Sequence, residues 1–324
     1  MDPVARAVLT TVVYFDLFQV PLTALEVWRN LFWPVPSERQ RVEGPAPGLG
    51  DVEAAIARLV AAGTLVSQEG YVSLPGGVPA SVRLMREADA LRKWRRLRFG
   101  ARLLAAVPFL LGIAAVNTLP IGASRPESDI DVLLVARTGR LYTMRLLAVM
   151  LMRLTGYYRH GAHVADHLCL SFSLTERSLD LMPLTKRPDD PLLRFWSANI
   201  HVITERERVF DRFWEANAAF LAPLPNARLR RAVPLVVAPA LLGFVRDILE
   251  RLLRGGLGER VEHWARTYQE RRFAANLQSR SRRGGTDVVI SDDVLKFHER
   301  DNREEMRRVW YDRLRRYAIP LDVA

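Results

Sequence analysis

Cysteine is nearly absent: Cys169 is the only one in 324 residues. That excludes an internal disulfide and points to a reducing compartment or to indifference to redox state. Lysine is almost as scarce, confined to Lys93, Lys186 and Lys296, so the basic charge rests on arginine. Long apolar runs are missing as well. The two best candidates, Leu103 to Val116 and Val233 to Phe244, fall short of the roughly 20 residues that a membrane-spanning helix needs. Pro108 interrupts the first, and Pro234 and Pro239 interrupt the second, so both read as buried core. The second is also followed by Arg246, Arg251 and Arg254, which would let it rest on a membrane surface. Asp2 and Arg6, ahead of an apolar pattern broken by Asp16, do not read as a signal peptide. The expectation is a cytoplasmic protein without a transmembrane segment.

What is present is a chain with 49% hydrophobic residues, enough to bury substantial cores in two or three domains. The net charge of +11 and a pI near 10.4 make nucleic acid a candidate partner. The arginine skew fits a GC-rich genome equally well. Local clusters carry more weight: Arg92 to Arg98, Arg228 to Arg231, and Arg280-Ser-Arg-Arg283. Each alone also reads as a solvated helix face or loop.

Along the chain, Val4 to Phe18 has helical spacing. Thr23-Ala-Leu-Glu26 is a capping box opening a helix through Leu31, and Asp51 caps a third helix ended by Gly63. Thr64 to Ser67 and Tyr71 to Leu74 pair through Glu69-Gly70 as a hairpin. Three helices and a hairpin describe a winged-helix-like module over residues 1–77. Its third helix carries Asp51 and Glu53 against Arg58, poor equipment for entering a DNA groove. A basic helix from Ser81 to Leu104 follows. Then come a strand at Phe109 to Val116, a second at Ile130 to Ala136, a helix from Arg140 to Thr155 and a third strand at Val164 to Leu174. Helices at Leu192 to Ile203, Val209 to Leu221, Ala240 to Leu253, Glu259 to Ser279 and Asp301 to Tyr317 would make residues 191–324 a helical C-terminal region.

The most informative stretch is Ser128-Asp-Ile-Asp-Val132. Side chains two apart on a strand share a face, so Asp129 and Asp131 project together while Ile130, Val132, Leu133 and Leu134 bury the strand. Two ionised carboxylates side by side repel unless a cation lies between them, and a divalent metal is the usual occupant.

This motif resembles that of the DNA polymerase β-type nucleotidyltransferase superfamily: a hydrophobic strand, a Gly-Ser turn, a spacer, then Asp-hydrophobic-Asp on the next strand. The Gly-Ser position falls here on Asn117-Thr118, and Gly122-Ala123-Ser124 falls in the spacer. Asn tolerates the left-handed backbone that Gly would supply, and Thr118 keeps a hydroxyl for a phosphate. The wider chain is similar to a bacterial branch with a winged-helix-like N-terminus and a helical C-terminal part. The likeness rests on Tyr14-Phe-Asp-Leu-Phe18, Pro21-Leu-Thr23, Ser128-Asp-Ile-Asp131, Leu168-Cys-Leu170 and Leu295-Lys-Phe-His298.

The resemblance implies an α+β fold whose nucleotidyltransferase core spans residues 78–190, with the motif at one edge of a small mixed sheet facing a cleft. It implies Mg²⁺ or Mn²⁺ on Asp129, Asp131 and a third carboxylate, with Asp180 preferred to Asp166. It also implies a nucleoside triphosphate such as ATP held by Asn117, Thr118, Ser128, Lys296 and His298. The reaction moves a nucleoside monophosphate to a hydroxyl of a small molecule, a protein or an RNA end. A non-catalytic regulator on a degenerate fold is the alternative, and the toxin of a toxin-antitoxin pair is a third reading. Two further constellations carry less. His163-x-x-x-His167-x-Cys169 spreads along a strand and matches no zinc spacing. Trp196, Trp214 and Asn217 read as core packing.

Overall fold

The computed structural model describes residues 1–33, 45–161, 163–274, 286–297 and 301–319. Helix α1 (Pro3–Asp16) is opened by Asp2, whose carboxylate accepts from the Ala5 amide at 2.9 Å, with Pro3 at the first helical position. Strand β1 (Leu22–Thr23) leads into α2 (Ala24–Arg29), where Thr23 and Glu26 form the expected reciprocal cap. Helix α3 (Leu49–Ala61) is capped three residues earlier than the sequence suggests. Its cap is Gly48, and Asp51 serves from inside the first turn by accepting from the Gly48 amide at 2.8 Å. Strands β2 (Val66–Gln68) and β3 (Tyr71–Ser73) turn through Glu69 and Gly70, with φ of 51° and 80°, as a two-residue hairpin turn requires. β1 completes a three-stranded antiparallel sheet in the order β1-β3-β2.

These N-terminal elements share their core with distant parts of the chain. Leu9, Phe15 and Phe32 pack in one cluster with Phe195, Leu221 and Trp310. Trp310 is fully buried, and its indole Nε1 donates to the Thr10 carbonyl at 3.3 Å.

Helix α4 (Ala80–Leu104) leads into β4 (Leu110–Ala115), β5 (Ile130–Ala136), α5 (Leu141–Leu154) and β6 (Leu168–Thr175), the expected order. The remainder departs from the all-helical expectation. It runs α6 (Pro191–Ala198), β7 (His201–Glu205), α7 (Val209–Ala216), α8 (Ala218–Leu221), β8 (Arg230–Arg231), α9 (Ala240–Leu252), α10 (Gly256–Ala274), β9 (Val288–Ile290), β10 (Val294–Phe297) and α11 (Arg303–Arg316). The helix expected through Ile203 stops at Ala198. The β-branched run Ile200, Val202, Ile203 and Thr204 suits a pleated surface better than a helix, and β7 puts Val202 and Ile203 into cores on opposite sheet faces.

The result is an α+β fold on a seven-stranded mixed sheet in the order β8-β7-β4-β5-β6-β10-β9. Among the described strands of this sheet, β5–β6 and β7–β8 pair in parallel and the other neighbours antiparallel, with β5 and β6 joined through α5. Helices α4, α5 and α10 cover one face, and α6, α7 and α8 cover the other. Burial on both faces explains the near-continuous apolar run of β5. It also corrects the expected placement of the motif, which lies at the end of an interior strand rather than on a sheet edge. No described helix is long and apolar enough to cross a membrane.

Candidate functional site

β4 and β5 are antiparallel, so the end of β4 lies beside the start of β5, and the Val116 amide donates to the Asp131 carbonyl at 3.1 Å. The next residue, Asn117, turns the chain with φ 59°, the left-handed conformation that Asn tolerates better than other non-glycine residues. That turn brings its Nδ2 to donate to Asp131 Oδ2 at 2.8 Å. Its Oδ1 accepts from Trp196 Nε1 at 2.7 Å, tying α6 to the same corner. Asp129 immediately precedes β5. In the parallel β5–β6 ladder, Cys169 stands opposite Asp131. Asp129, Asp131 and Cys169 each offer a ligand atom within 4.8 Å of the others.

Charge is concentrated here in a partly buried place. Desolvation, then the charge of Asp129, pushes the Asp131 carboxyl up to about 6, against the opposing pull of Asn117, Cys169 and Arg159. Burial and the neighbouring Asp131 push the Cys169 thiol up to about 12, so it is protonated at neutral pH. Arg159 closes the group, its Nε 3.0 Å from Asp129 Oδ2 and its other side on the Cys169 sulfur at 3.6 Å. It is brought there because Tyr158 bridges to Leu168, so this segment runs beside the start of β6.

Asn117, Asp131, Cys169 and Arg159 line a cleft of about 790 Å³, with Asp129 next to them. Tyr14 and Phe15 of α1, Phe18 just after it, and Phe195 and Trp196 of α6 make an apolar wall, and Thr118, Lys296 and Arg303 line other sides. Two carboxylates are hard oxygen donors and the protonated thiol is not. Of this set, Asp129 and Asp131 are the residues that could hold a hard divalent cation. The set does not make a three-carboxylate centre.

The structure gathers Asn117, Thr118, Asp129, Asp131 and Lys296 around or beside the cleft. Asp180 is elsewhere. It is exposed in the segment after β6, where its Oδ1 accepts from the Met182 amide at 2.9 Å. Its strand-like flanks, Leu179 and Leu181, are buried because their backbones bond to the Asn217 side chain, not because they form a strand. Asp166 faces Lys93 Nζ at 2.6 Å and Arg92 Nε at 2.8 Å. The Ser128 hydroxyl donates to the Arg125 carbonyl at 2.9 Å and serves its own loop. Lys296 lies on β10, and its ammonium is spent on Asp301 and the Thr286 carbonyl. His298 lies outside the described residues.

Arg159, Cys169 and Trp196 are the site residues that sequence reasoning missed. Spacing does not single out one arginine among so many. Cys169 has a signal only in strand register, opposite Asp131. Trp196, read as core, is half-buried at the cleft.

The basic clusters are largely committed inside the molecule. Lys93 is fully buried, Arg96 lies over the Tyr157 ring at 4.5 Å, and Arg98 reaches the Pro234 carbonyl. Arg230 bonds Asn199, and Arg231 pairs with Glu205 and Asp211. In α3, Arg58 pairs with Asp2. The cluster at Arg280 lies outside the described residues. His167 bonds its own loop at the Ala165 carbonyl, while Cys169 turns to Asp131.

No protein-family model matches the chain, and no curated protein or solved structure matches it.

Proposed function

We propose that the chain is a metal-dependent nucleotidyltransferase of the DNA polymerase β type with a winged-helix-like N-terminal module, transferring a nucleoside monophosphate from a triphosphate to a hydroxyl. The observation that carries this reading is the close pair of Asp129 and Asp131, the latter lining a large cleft and bonded by the left-handed Asn117 at 2.8 Å. Asp129 and Asp131 would hold Mg²⁺ or Mn²⁺. A bound ion of this kind neutralises phosphate charge and polarises the phosphoryl group under attack.

The chain's own residues supply the rest. Asn117 keeps Asp131 oriented through its amide. Thr118 lines the same cleft, where its hydroxyl would donate to a phosphate oxygen. Arg159, already 3.0 Å from Asp129, offers a planar guanidinium to the same phosphates. The aromatic wall of Tyr14, Phe195 and Trp196 suits a base or an apolar acceptor and excludes water. The scarcity of cysteine fits a cytoplasmic setting.

One observation favours a second reading. The register position opposite Asp131 holds a protonated Cys169 in place of a carboxylate, which suits a nucleotide-sensing regulator that binds without transfer. Thermal unfolding with ATP, GTP, CTP and UTP, with and without Mg²⁺ or Mn²⁺, separates these readings from error. A ligand at a hundred times its Kd stabilises the native state by about 2.7 kcal/mol. A metal-dependent rise in Tm that disappears in Asp129→Asn/Asp131→Asn is expected. Pyrophosphate release from the bound nucleotide then marks a transferase, binding alone marks a sensor, and no shift with any nucleotide rejects both.

A further inference from the structure

Helices α9 and α10 are built inside out. On α9 the side toward the protein is polar: Glu250 is buried, accepting from the Phe109 amide at 2.8 Å and pairing with Arg206 at 2.6 Å. Arg246, one turn earlier, bonds the Ala105 carbonyl at 3.0 Å. The side away from the protein is apolar, with Leu241 73%, Phe244 63% and Leu252 62% exposed. These positions, with Val245 and Ile248, share one helical stripe.

Helix α10 repeats the inversion. Glu262 accepts from the amides of Tyr142 and Thr143 at the inner face, and Gln269 is buried. Leu257, Trp264 and Tyr268 face outward, the last two stacked with ring centres 5.9 Å apart. The irregular segment before α9 extends the apolar surface through Val233 and Val237, both exposed. Apolar side chains scattered singly on a surface need no explanation, but two consecutive helices that turn Glu250 and Glu262 inward and expose their leucines do.

We propose that this face rests on an anionic lipid bilayer, with α9 lying in the plane of the interface. Charge chooses the occupant. Arg251, Arg254 and Arg260 are exposed around the apolar stripe, and the Arg98 contact to the Pro234 carbonyl sets the arginines of α4, Arg102 among them, beside it. Of the exposed carboxylates on or against these helices, Asp247 is paired with Arg246 and Asp292 with Arg266, and Glu259 lies in the first turn of α10. An apolar helix face rimmed by arginine, with an exposed Trp-Tyr pair at the margin, matches the headgroup layer. A second copy of the chain fits less well, because a two-fold contact brings the same cationic rim against itself. α9 is too short to cross the bilayer, and no described helix is long and apolar enough to do so, so the mode is association with one leaflet. This inference does not depend on the nucleotide reading.

The test is flotation of the full chain with vesicles of phosphatidylcholine alone or mixed with phosphatidylglycerol, alongside sedimentation to fix its oligomeric state. The expected result is flotation with the anionic vesicles only, weakened by salt. It should fall about tenfold or more in Leu241→Ser/Phe244→Ser and fall again in Arg251→Glu/Arg254→Glu. All four positions are exposed, and unchanged far-UV dichroism and Tm would show the variants folded. Absence of flotation overturns the proposal, as does equal flotation with neutral vesicles. A dimer that dissolves in the Leu241→Ser/Phe244→Ser variant, without flotation of the wild type, assigns the face to a second copy instead.

Discussion

The side-chain amide of Asn117 bridges Asp131 and Trp196, donating to the carboxylate at 2.8 Å and accepting from the indole at 2.7 Å. It does so from a left-handed backbone, φ 59°, so one residue meets a conformational and a chemical demand together. Glycine satisfies the first alone and alanine neither. Each lost hydrogen bond costs about 1 kcal/mol, and a left-handed alanine adds about 1 kcal/mol over glycine. Urea unfolding of Asn117→Gly and Asn117→Ala should therefore show both destabilised, with alanine the worse.

Asp131 titrates in the wrong direction for stability. Its folded pKa is raised to about 6, so as pH rises the unfolded chain releases this proton first. The contribution of this group falls from about pH 4 to pH 6 and is flat above. Asp131→Asn removes that loss while keeping the shape. The stability difference, variant minus wild type, should grow across this window to about 1–3 kcal/mol by pH 7. A difference independent of pH would mean that folding leaves the Asp131 carboxyl at its ordinary pKa. Taking the difference cancels the carboxylates held low by their partners, Asp301 by Arg303 and Lys296 and Glu250 by Arg206, whose contributions have the opposite sign.

A second buried charge shapes the loop that presents the pair. Lys93 is fully buried on α4, and its ammonium donates to Asp166 at 2.6 Å and to the Ser128 carbonyl at 2.7 Å. It thereby fixes the residue immediately before Asp129. Removing Asp166 alone leaves that ammonium short of its counter-charge. Asp166→Asn, which suits the φ of 60° there, should cost about 3 kcal/mol, and Lys93→Met with Asp166→Asn should recover much of it. A double-mutant cycle by chemical denaturation measures the coupling. Additive losses would show that the two groups do not act as a pair.

Legibility in the sequence followed locality. The Thr23/Glu26 cap, the Glu69-Gly70 turn, strand β5 and the left-handed Asn117 are each specified within a few residues, and all are present. Strands β7 and β10 are not local facts. Lys296 faces Phe172 and His201 faces Ala115, pairings whose partners lie far along the chain, so their short segments read as helix or loop. The site divides the same way. Asp129 and Asp131 announce themselves by spacing, while Arg159 and Cys169 join them only through the β5–β6 register. Asp180 misled because buried leucines on both sides imitate a strand when a loop is anchored by Asn217.

Cys169 is the position that decides what the pair can do with a metal. It stands opposite Asp131 within 4.8 Å of both carboxylates, so Cys169→Asp would place a third oxygen donor in the same group. In the absence of a divalent ion three carboxylates repel one another, and the variant should unfold at a lower Tm than the wild type. Added Mn²⁺ should reverse the order, because a hard ion gains affinity with each anionic oxygen, and the gain appears as stability by mass action. Cys169→Ser, similar in size and without charge, should show neither effect. A metal-dependent Tm rise that is larger in Cys169→Asp than in wild type, and abolished when Asp129 and Asp131 are also Asn, would place the ion among these three side chains. An equal rise in all variants would put the ion elsewhere.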